Sequence, residues 1–181
     1  MNVGRATLVS KYLSKHLRHE PERLGLTLAP GGWVPVAELL AACEGAGFPI
    51  GSEELAEVVR TSSKKRFSFD HSRLLIRANQ GHSVGVDLQL QPILPPDELY
   101  HGTGESAVPS ILERGILRMD RDHVHLSADA ATALAVGIRH GRPVVFAIAA
   151  ASMAHDGHRF YRSDNLVWLV EHVPAEYLRR L

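Results

Sequence analysis

Cysteine is almost missing from this chain: Cys43 stands alone among 181 residues. An internal disulfide is excluded, and so is a metal cage built from thiolates. Cys43 falls at helical spacing with Val36, Leu39 and Leu40, where a small thiol packs as a core residue. Net charge is missing too, with 20 Lys and Arg against 20 Asp and Glu. A neutral total argues against blanket coating of nucleic acid but leaves room for a local basic site. No run approaches the roughly 20 apolar residues of a membrane span. The opening Met-Asn-Val-Gly-Arg-Ala has none of the charged-then-apolar pattern of a secretory signal. The expectation is a cytoplasmic protein with no membrane partner. Neither an internal repeat nor a low-complexity tract is visible.

The composition changes at Gln91-Pro92-Ile93-Leu94-Pro95-Pro96, where three prolines stiffen the backbone and remove amide donors. That segment reads as a connector between two domains, 1–91 and 92–181. In the first, Leu8, Tyr12, Leu13 and Leu17 form a helical stripe, and Gly31-Gly32 turns the chain before Trp33-Val34. Val36, Leu39, Leu40 and Cys43 predict a second helix that Gly45 and Gly47 end. Ser52 with Glu53 and Glu54 predicts a capped third helix carrying Leu55, Val58 and Val59. Phe67 and Phe69, a turn at His71-Ser72, and Leu74-Leu75-Ile76 predict a hairpin. Three helices and a hairpin match a winged helix-turn-helix, a layout that does not by itself fix function. The second domain predicts α+β: a helix over 106–113 stopped by Gly115, a strand at Val124–Leu126, an alanine-rich helix over 130–139, and strands at 143–148 and 167–170. Trp33, Phe146 and Trp168 are expected in the core. His16, His71, His140, His155, His158 and His172 are expected at the surface.

What the chain does have is histidine, 11 in all, grouped with arginine in short strings. These are Arg18-His19, Lys64-Lys65-Arg66, Gly81-His82-Ser83, His101-Gly102-Thr103 and Arg121-Asp122-His123-Val124-His125. Guanidinium is a fixed cation whose planar fork suits phosphate oxygens. Imidazole donates, accepts or shuttles a proton near neutral pH. Strings of both, drawn from distant segments, point to a phosphorylated substrate. Each string also has a plain structural reading. Arg18-His19 ends a helix, where cations meet the dipole favourably. Lys64-Lys65-Arg66 is a solvated turn, Arg121 pairs with Asp120 or Asp122, His101 caps a helix, and His125 is a half-buried strand residue. Gln80-Gly81-His82-Ser83 either touches RNA or phosphate from between the lobes or is only a tight turn. Arg77 lies against RNA or is an exposed strand residue.

His101-Gly102-Thr103 at the start of an α+β domain, with His125-Leu126-Ser127 on a strand 24 residues later, resembles the ADP-ribosyltransferase fold that binds NAD. In that fold the His-Gly backbone holds the nicotinamide amide and the His side chain contacts a ribose. The ordered series is longer. It runs through Leu13-Ser14-Lys15-His16-Leu17-Arg18-His19, Gly32-Trp33-Val34, Lys64-Lys65-Arg66-Phe67 and Ile76-Arg77-Ala78-Asn79-Gln80-Gly81-His82-Ser83. It continues through Leu99-Tyr100-His101-Gly102-Thr103 and Met119-Asp120-Arg121-Asp122-His123-Val124-His125-Leu126-Ser127. Taken together it is similar to the RNA 2′-phosphotransferase family, from about residue 8 to the C-terminus, including Phe160-Tyr161 to Val167-Trp168-Leu169.

The resemblance implies a winged-helix RNA lobe joined to an ADP-ribosyltransferase-like lobe that takes NAD as co-substrate, with no metal, acting as a monomer on RNA that bears an internal 2′-phosphate. It implies two steps: the 2′-phosphate attacks the nicotinamide ribose C1″ and expels nicotinamide, then the 2″-hydroxyl attacks phosphorus in the RNA–phospho–ADP-ribose intermediate. The products are 2′-hydroxyl RNA and ADP-ribose 1″,2″-cyclic phosphate. The family's catalytic set falls on Arg18, His19, Arg66 and Arg121, three fixed cations that converge on the phosphate with an imidazole beside them. Arg118 is the rival for the last place. His101, Gly102, Thr103, His125, Leu126 and Ser127 fall on the NAD site, and Lys65, Arg77, Gln80 and His82 on the RNA. Two departures stand out: Thr61-Ser62-Ser63 replaces the family's Asn-Asp, and Asn165-Leu166 replaces Asn-Gly. Two rival activities share these features. One is a transferase that leaves ADP-ribose on a phosphorylated end; the other is a winged-helix binder with a ligand-sensing lobe. Glu53, Glu54 and Glu57 on the third helix speak against the binder, because phosphate would repel them.

Overall fold

The computed structural model describes residues 2–181 and divides into two compact units, Met1–Leu90 and Gln91–Leu181. The first unit opens with α1 (Val3–Arg18), started by the Asn2 side chain, which accepts the Gly4 N–H at 2.7 Å. Its buried face is Val9, Leu13, His16 and Leu17, spaced i, i+4, i+7, i+8 as an inward stripe requires. The stripe is rotated one position from the expected one: Leu8 is 58% exposed, and Val9 takes its place. Tyr12 still contributes by stacking on Phe48 at 4.1 Å. His16 is buried rather than at the surface, and its Nδ1 donates to the Glu20 carbonyl at 3.2 Å. A carbonyl can only accept, so this bond fixes the proton on Nδ1.

β1 (Trp33–Pro35) leads directly into α2 (Val36–Gly45), and α3 (Ser52–Thr61) follows. Gly51, not Ser52, holds the cap position of α3, and no side chain caps it. Arg5 grips the Glu54 carboxylate through two nitrogens at 2.8 and 3.1 Å, tying α1 to α3. β2 (Phe67–Phe69) and β3 (Leu75–Ala78) form the expected hairpin, and Asp70 shapes its turn by accepting from Ser72 and Leu75. β1 adds antiparallel to β3, so the sheet has three strands in the order β1-β3-β2. Pairing Val34 with Ile76 places both in a core shared with Leu13, Leu17, Leu39, Cys43, Leu55 and Phe67. Burial pushes the Cys43 thiol pKa up to about 11. Trp33 is half-buried and not in the core, and the Arg77 guanidinium lies over its ring at 4.5 Å.

The second unit contains β4 (Glu98–Gly104), α4 (Val108–Arg114), β5 (Ile116–Leu117), β6 (Val124–Leu126), α5 (Ala130–Gly137), β7 (Pro143–Ala149), α6 (Ala150–His155), β8 (Phe160–Arg162), β9 (Trp168–Val170), β10 (His172–Val173) and β11 (Leu178–Arg180). Two antiparallel three-stranded sheets, β11-β7-β4 and β6-β9-β8, flank a core of Leu99, Leu126, Val144, Phe146, Ile148, Met153, Phe160, Trp168 and Val170. β5 and β10 pair separately. The molecule is thus α+β. The proline stretch is not a free spacer, since the Ile93 N–H donates to the Phe160 carbonyl at 2.9 Å and extends the β8 edge. Among the described residues no helix is long and apolar enough to cross a membrane.

Leu166 stands where the resemblance expects glycine, and the backbone there keeps the glycine conformation, φ +66°. The turn is held by the Leu166 N–H on the Ser163 carbonyl (2.8 Å) and the Ser163 N–H on the Val167 carbonyl (3.0 Å). A Cβ in this region costs about 1–2 kcal/mol, partly offset by the entropy that glycine adds to the unfolded chain. Leu166→Gly is therefore expected to stabilise the protein by about 0.5–1 kcal/mol, read from urea unfolding midpoints.

Candidate functional site

In the first unit, three of the expected catalytic residues come together. Arg18 is the last residue of α1 and His19 caps that helix. Arg66 immediately precedes β2, and its carbonyl accepts from Arg18 Nη2 at 3.4 Å. Arg66 Nη1 reaches Ser10 Oγ at 3.4 Å, and no carboxylate neutralises Arg66 among the described residues. The Arg18 guanidinium also lies 6.0 Å over the Phe67 ring. Lys65 is exposed and holds a left-handed conformation, φ +39°. Asn79 stabilises that turn: its Nδ2 donates to the Lys65 carbonyl at 2.7 Å and its N–H to the Arg66 carbonyl at 2.9 Å. Sequence reasoning passed over Asn79. The available signal was an amide directly after a strand, in register opposite the cationic turn.

The Gln80–Ser83 segment turns at Gly81, φ +86°. His82 is fully buried, and neither ring nitrogen has a hydrogen-bond partner among the described residues. Burial first, and then Arg18, His19 and Arg77 nearby, push its pKa down to about 4. The ring is packed close to Gly32, whose φ of +76° brings the backbone near it. His82 acts as an apolar pin, and the half-buried Gln80 keeps part of its surface. Arg77 is committed to Trp33 and to the Gly31 carbonyl at 3.3 Å.

In the second unit, Arg121 is exposed and donates through Nη1 to His125 Nδ1 at 2.9 Å. It does not pair with Asp120 or Asp122. Arginine cannot accept, so Nδ1 of His125 is the acceptor. The His125 carbonyl in turn accepts from His101 Nδ1 at 3.2 Å. Burial holds the His101 pKa below its ordinary value, so the ring is neutral near pH 7 with Nε2 as an acceptor. Arg118, the rival, faces Asp122 and His123 in a separate polar cavity of about 480 Å³ that also includes His158, Arg159 and Glu171. The contact with His125 belongs to Arg121 alone of the two.

Tyr100 and Ser127 exchange both backbone hydrogen bonds, at 2.9 and 2.8 Å, and join β4 to β6. Beyond that pair the strands part, and the His101 ring takes the His125 carbonyl that a continuing ladder would have used. By strand alternation the Gly102 N–H and C=O face the same edge as those of Tyr100, away from β7. The packing itself requires glycine at 102. A Cβ there would lie 1.7 Å from the Ala133 carbonyl oxygen of α5. Gly104 meets the His140 carbonyl and Gly137 meets Thr103 in the same packing. Thr103 and Leu126 are buried, and by the same alternation their backbone groups face β7 and β9 and not this edge.

Two outcomes follow. Gly102→Ala is expected to destabilise the second unit by about 3 kcal/mol or more, because overpacking here meets backbone, seen as a lowered thermal midpoint. His82 bears on pH. Its folded pKa is depressed, so the stabilisation is complete above about 6.5 and is lost as pH falls through about 4. Between those values the parent is expected to lose on the order of 3 kcal/mol that His82→Leu does not lose, measured by urea unfolding at stepped pH.

Comparison with known proteins supplies the family. The family model described as "RNA 2'-phosphotransferase, Tpt1 / KptA family" matches residues 4–172. The chain is 61% identical over 181 residues to a Nostoc punctiforme protein named "Probable RNA 2'-phosphotransferase", covering all of both chains. It is 52% identical over 179 residues to a Streptomyces coelicolor protein of the same name, covering 99% of this chain and 97% of that one. A Herpetosiphon aurantiacus relative, also so named, is 53% identical over 178 residues, 98% of each. With the motif residues gathered in each unit and similarity running the length of the chain, this protein belongs to the RNA 2′-phosphotransferase (Tpt1 / KptA) family.

Proposed function

We propose that the protein removes an internal 2′-phosphate from RNA with NAD as co-substrate. In this reading the first unit is a winged-helix RNA lobe and the second an ADP-ribosyltransferase-like lobe. The observation that carries it is the set of Arg18, His19 and Arg66 at the α1 terminus, with Arg66 lacking a carboxylate partner among the described residues. A cation neutralised by a neighbouring carboxylate binds phosphate weakly; one held only by a hydroxyl keeps its field. The dianionic 2′-phosphate lies against the Arg18 and Arg66 guanidiniums, and His19 holds an oxygen or moves a proton as phosphorus changes partners. The exposed Lys65 meets RNA backbone.

The second unit fits a nicotinamide dinucleotide at the edge where β4 and β6 part. A carboxamide needs one donor and one acceptor, which the N–H and C=O of Gly102 supply on that edge. His101 Nε2 accepts from a ribose hydroxyl, and Ser127 lies at the end of β6 with its backbone already fixed by Tyr100. Bound there, NAD supplies an electrophilic ribose carbon, C1″, and a 2″-hydroxyl. Arg121, held by His125, stabilises the negative charge that passes over phosphorus during transfer. The outcome is 2′-hydroxyl RNA, ADP-ribose 1″,2″-cyclic phosphate and nicotinamide.

Full-length protein mixed with NAD and a short RNA carrying one internal 2′-phosphate is expected to give 2′-hydroxyl RNA and the cyclic phosphate, resolved by gel and mass. Retention of ADP-ribose on the RNA would instead mark a transferase arrested after one step. No change in either reactant would favour a binding module. Arg66→Ala is expected to lower turnover about 10²–10³-fold. Near-parental turnover would remove Arg66 from the phosphate set.

A further inference from the structure

The helices of the first unit divide their charge unevenly. α1 holds Arg5, Lys11, Lys15 and Arg18 and has neither Asp nor Glu. α2 and α3 together hold Glu38, Glu44, Glu53, Glu54 and Glu57 against Arg60 alone. In a helix-turn-helix the second helix enters the nucleic-acid groove, and in this unit that helix is α3. Its outer face joins Glu53, Glu57 and Arg60 at i, i+4 and i+7, so it presents more negative charge than positive to any phosphate.

α1 offers the opposite surface. Thr7, Lys11, Ser14 and Arg18 fall at i, i+4, i+7 and i+11, a row facing away from the buried stripe of Val9, Leu13, His16 and Leu17. Thr7 and Ser14 turn their hydroxyls back onto the helix, donating to the Val3 and Ser10 carbonyls at 3.0 and 2.7 Å. Between its two cations the row is therefore small and carries no opposing charge. Arg5 and Lys15 are occupied by Glu54 at 2.8 Å and Glu20 at 3.2 Å. Lys11 is exposed and has no carboxylate partner among the described residues. Ser10 seats the Lys65–Arg66 turn beside the row, its hydroxyl accepting from Arg66 Nη1 at 3.4 Å, and Lys65 is exposed there. The helical rise sets Lys11 about 10 Å along the axis from Arg18. That is too far for both to grip one phosphate, so Lys11 meets a neighbouring phosphodiester.

We infer that this row of α1, with Lys65 at its side, is the track for the RNA backbone next to the 2′-phosphate, and that the strand crosses the first unit over α1 and not over α3. The contacts are to phosphate, so they hold the strand without reading its bases. The inference rests on the phosphotransferase reading for its ligand, an RNA whose 2′-phosphate lies at Arg18 and Arg66.

The test uses the full chain as parent, Lys11→Gln and Arg60→Gln. Both residues are exposed, so neither substitution reaches the core. Each removes one positive charge, so a difference between them reports position and not net charge. Each protein is titrated, without NAD, into a fluorescein-labelled single-stranded RNA carrying one internal 2′-phosphate, and anisotropy gives Kd across a salt series. One phosphate contact to a single strand contributes about 0.7 to the slope of log K on log salt, which is about eightfold in Kd at about 0.05 M and about threefold at about 0.2 M. Lys11→Gln is expected to lose that much affinity and slope, equally for two RNAs of unrelated base sequence. Arg60→Gln is expected to bind as the parent does. A parental Kd and slope for Lys11→Gln would overturn the inference. So would an equal or larger loss for Arg60→Gln, or a parent that does not bind the RNA. Turnover of the same RNA with NAD is read separately in the parent. Its absence would sink the phosphotransferase reading, and the anisotropy comparison would still decide between α1 and α3.

Discussion

Guanidinium groups repel one another, and a fold that gathers them must fix each one in place. The first unit does this through the backbone. The Arg66 carbonyl accepts from both Asn79 and Arg18, and the Arg18 carbonyl accepts from Ser83. The cations are held by dipoles behind them, and the Arg66 guanidinium has no carboxylate partner among the described residues. Like charges at close range in solvent repel by about 1 kcal/mol, and the arrangement is held against such repulsion. It persists because strand pairing, a helix terminus and the buried His82 determine the same backbone path. The second unit applies the same rule on a smaller scale, with Arg121 held by a neutral imidazole and not by the aspartates on either side of it.

The second constraint is the packing of α5 on β4. Three glycines, Gly102, Gly104 and Gly137, let helix and strand backbones approach until a single methyl would collide with a carbonyl. That contact fixes one face of the strand carrying His101. On its other edge β4 meets β6 through one pair, Tyr100 with Ser127, and then parts from it. Polar backbone is thereby left on an edge stiffened from behind, which suits an amide-bearing ligand. The His-Gly-Thr string thus has two functions that the sequence cannot separate: the glycine serves the fold through its Cα and the proposed ligand through its N–H and C=O.

The helices and the buried strand β7 were legible because hydrophobic periodicity reports burial directly, and the left-handed turns were legible wherever glycine marked them. Periodicity was weaker on phase: Leu8 and Val9 are adjacent and both aliphatic, and only packing chose Val9. Histidine was hardest to place. His16 and His82 are buried while His71 and His140 are not. An imidazole is apolar enough to bury when neutral and polar enough to expose, so composition is silent on which occurs.

The sequence by itself determined the family, through motifs whose order survives over the whole chain, and it determined which residue types are available for phosphate and nucleotide chemistry. It also excluded an internal disulfide by having one cysteine. Tertiary structure alone decided which of those residues meet. It brought Ser83 to His19 across 64 positions and Asn79 to Lys65 across 14, and gave His125 to Arg121 in preference to Arg118. The physical reason is that periodicity and propensity are local. A hydrogen bond between distant segments depends on the path of the backbone between them, which only the packed core fixes.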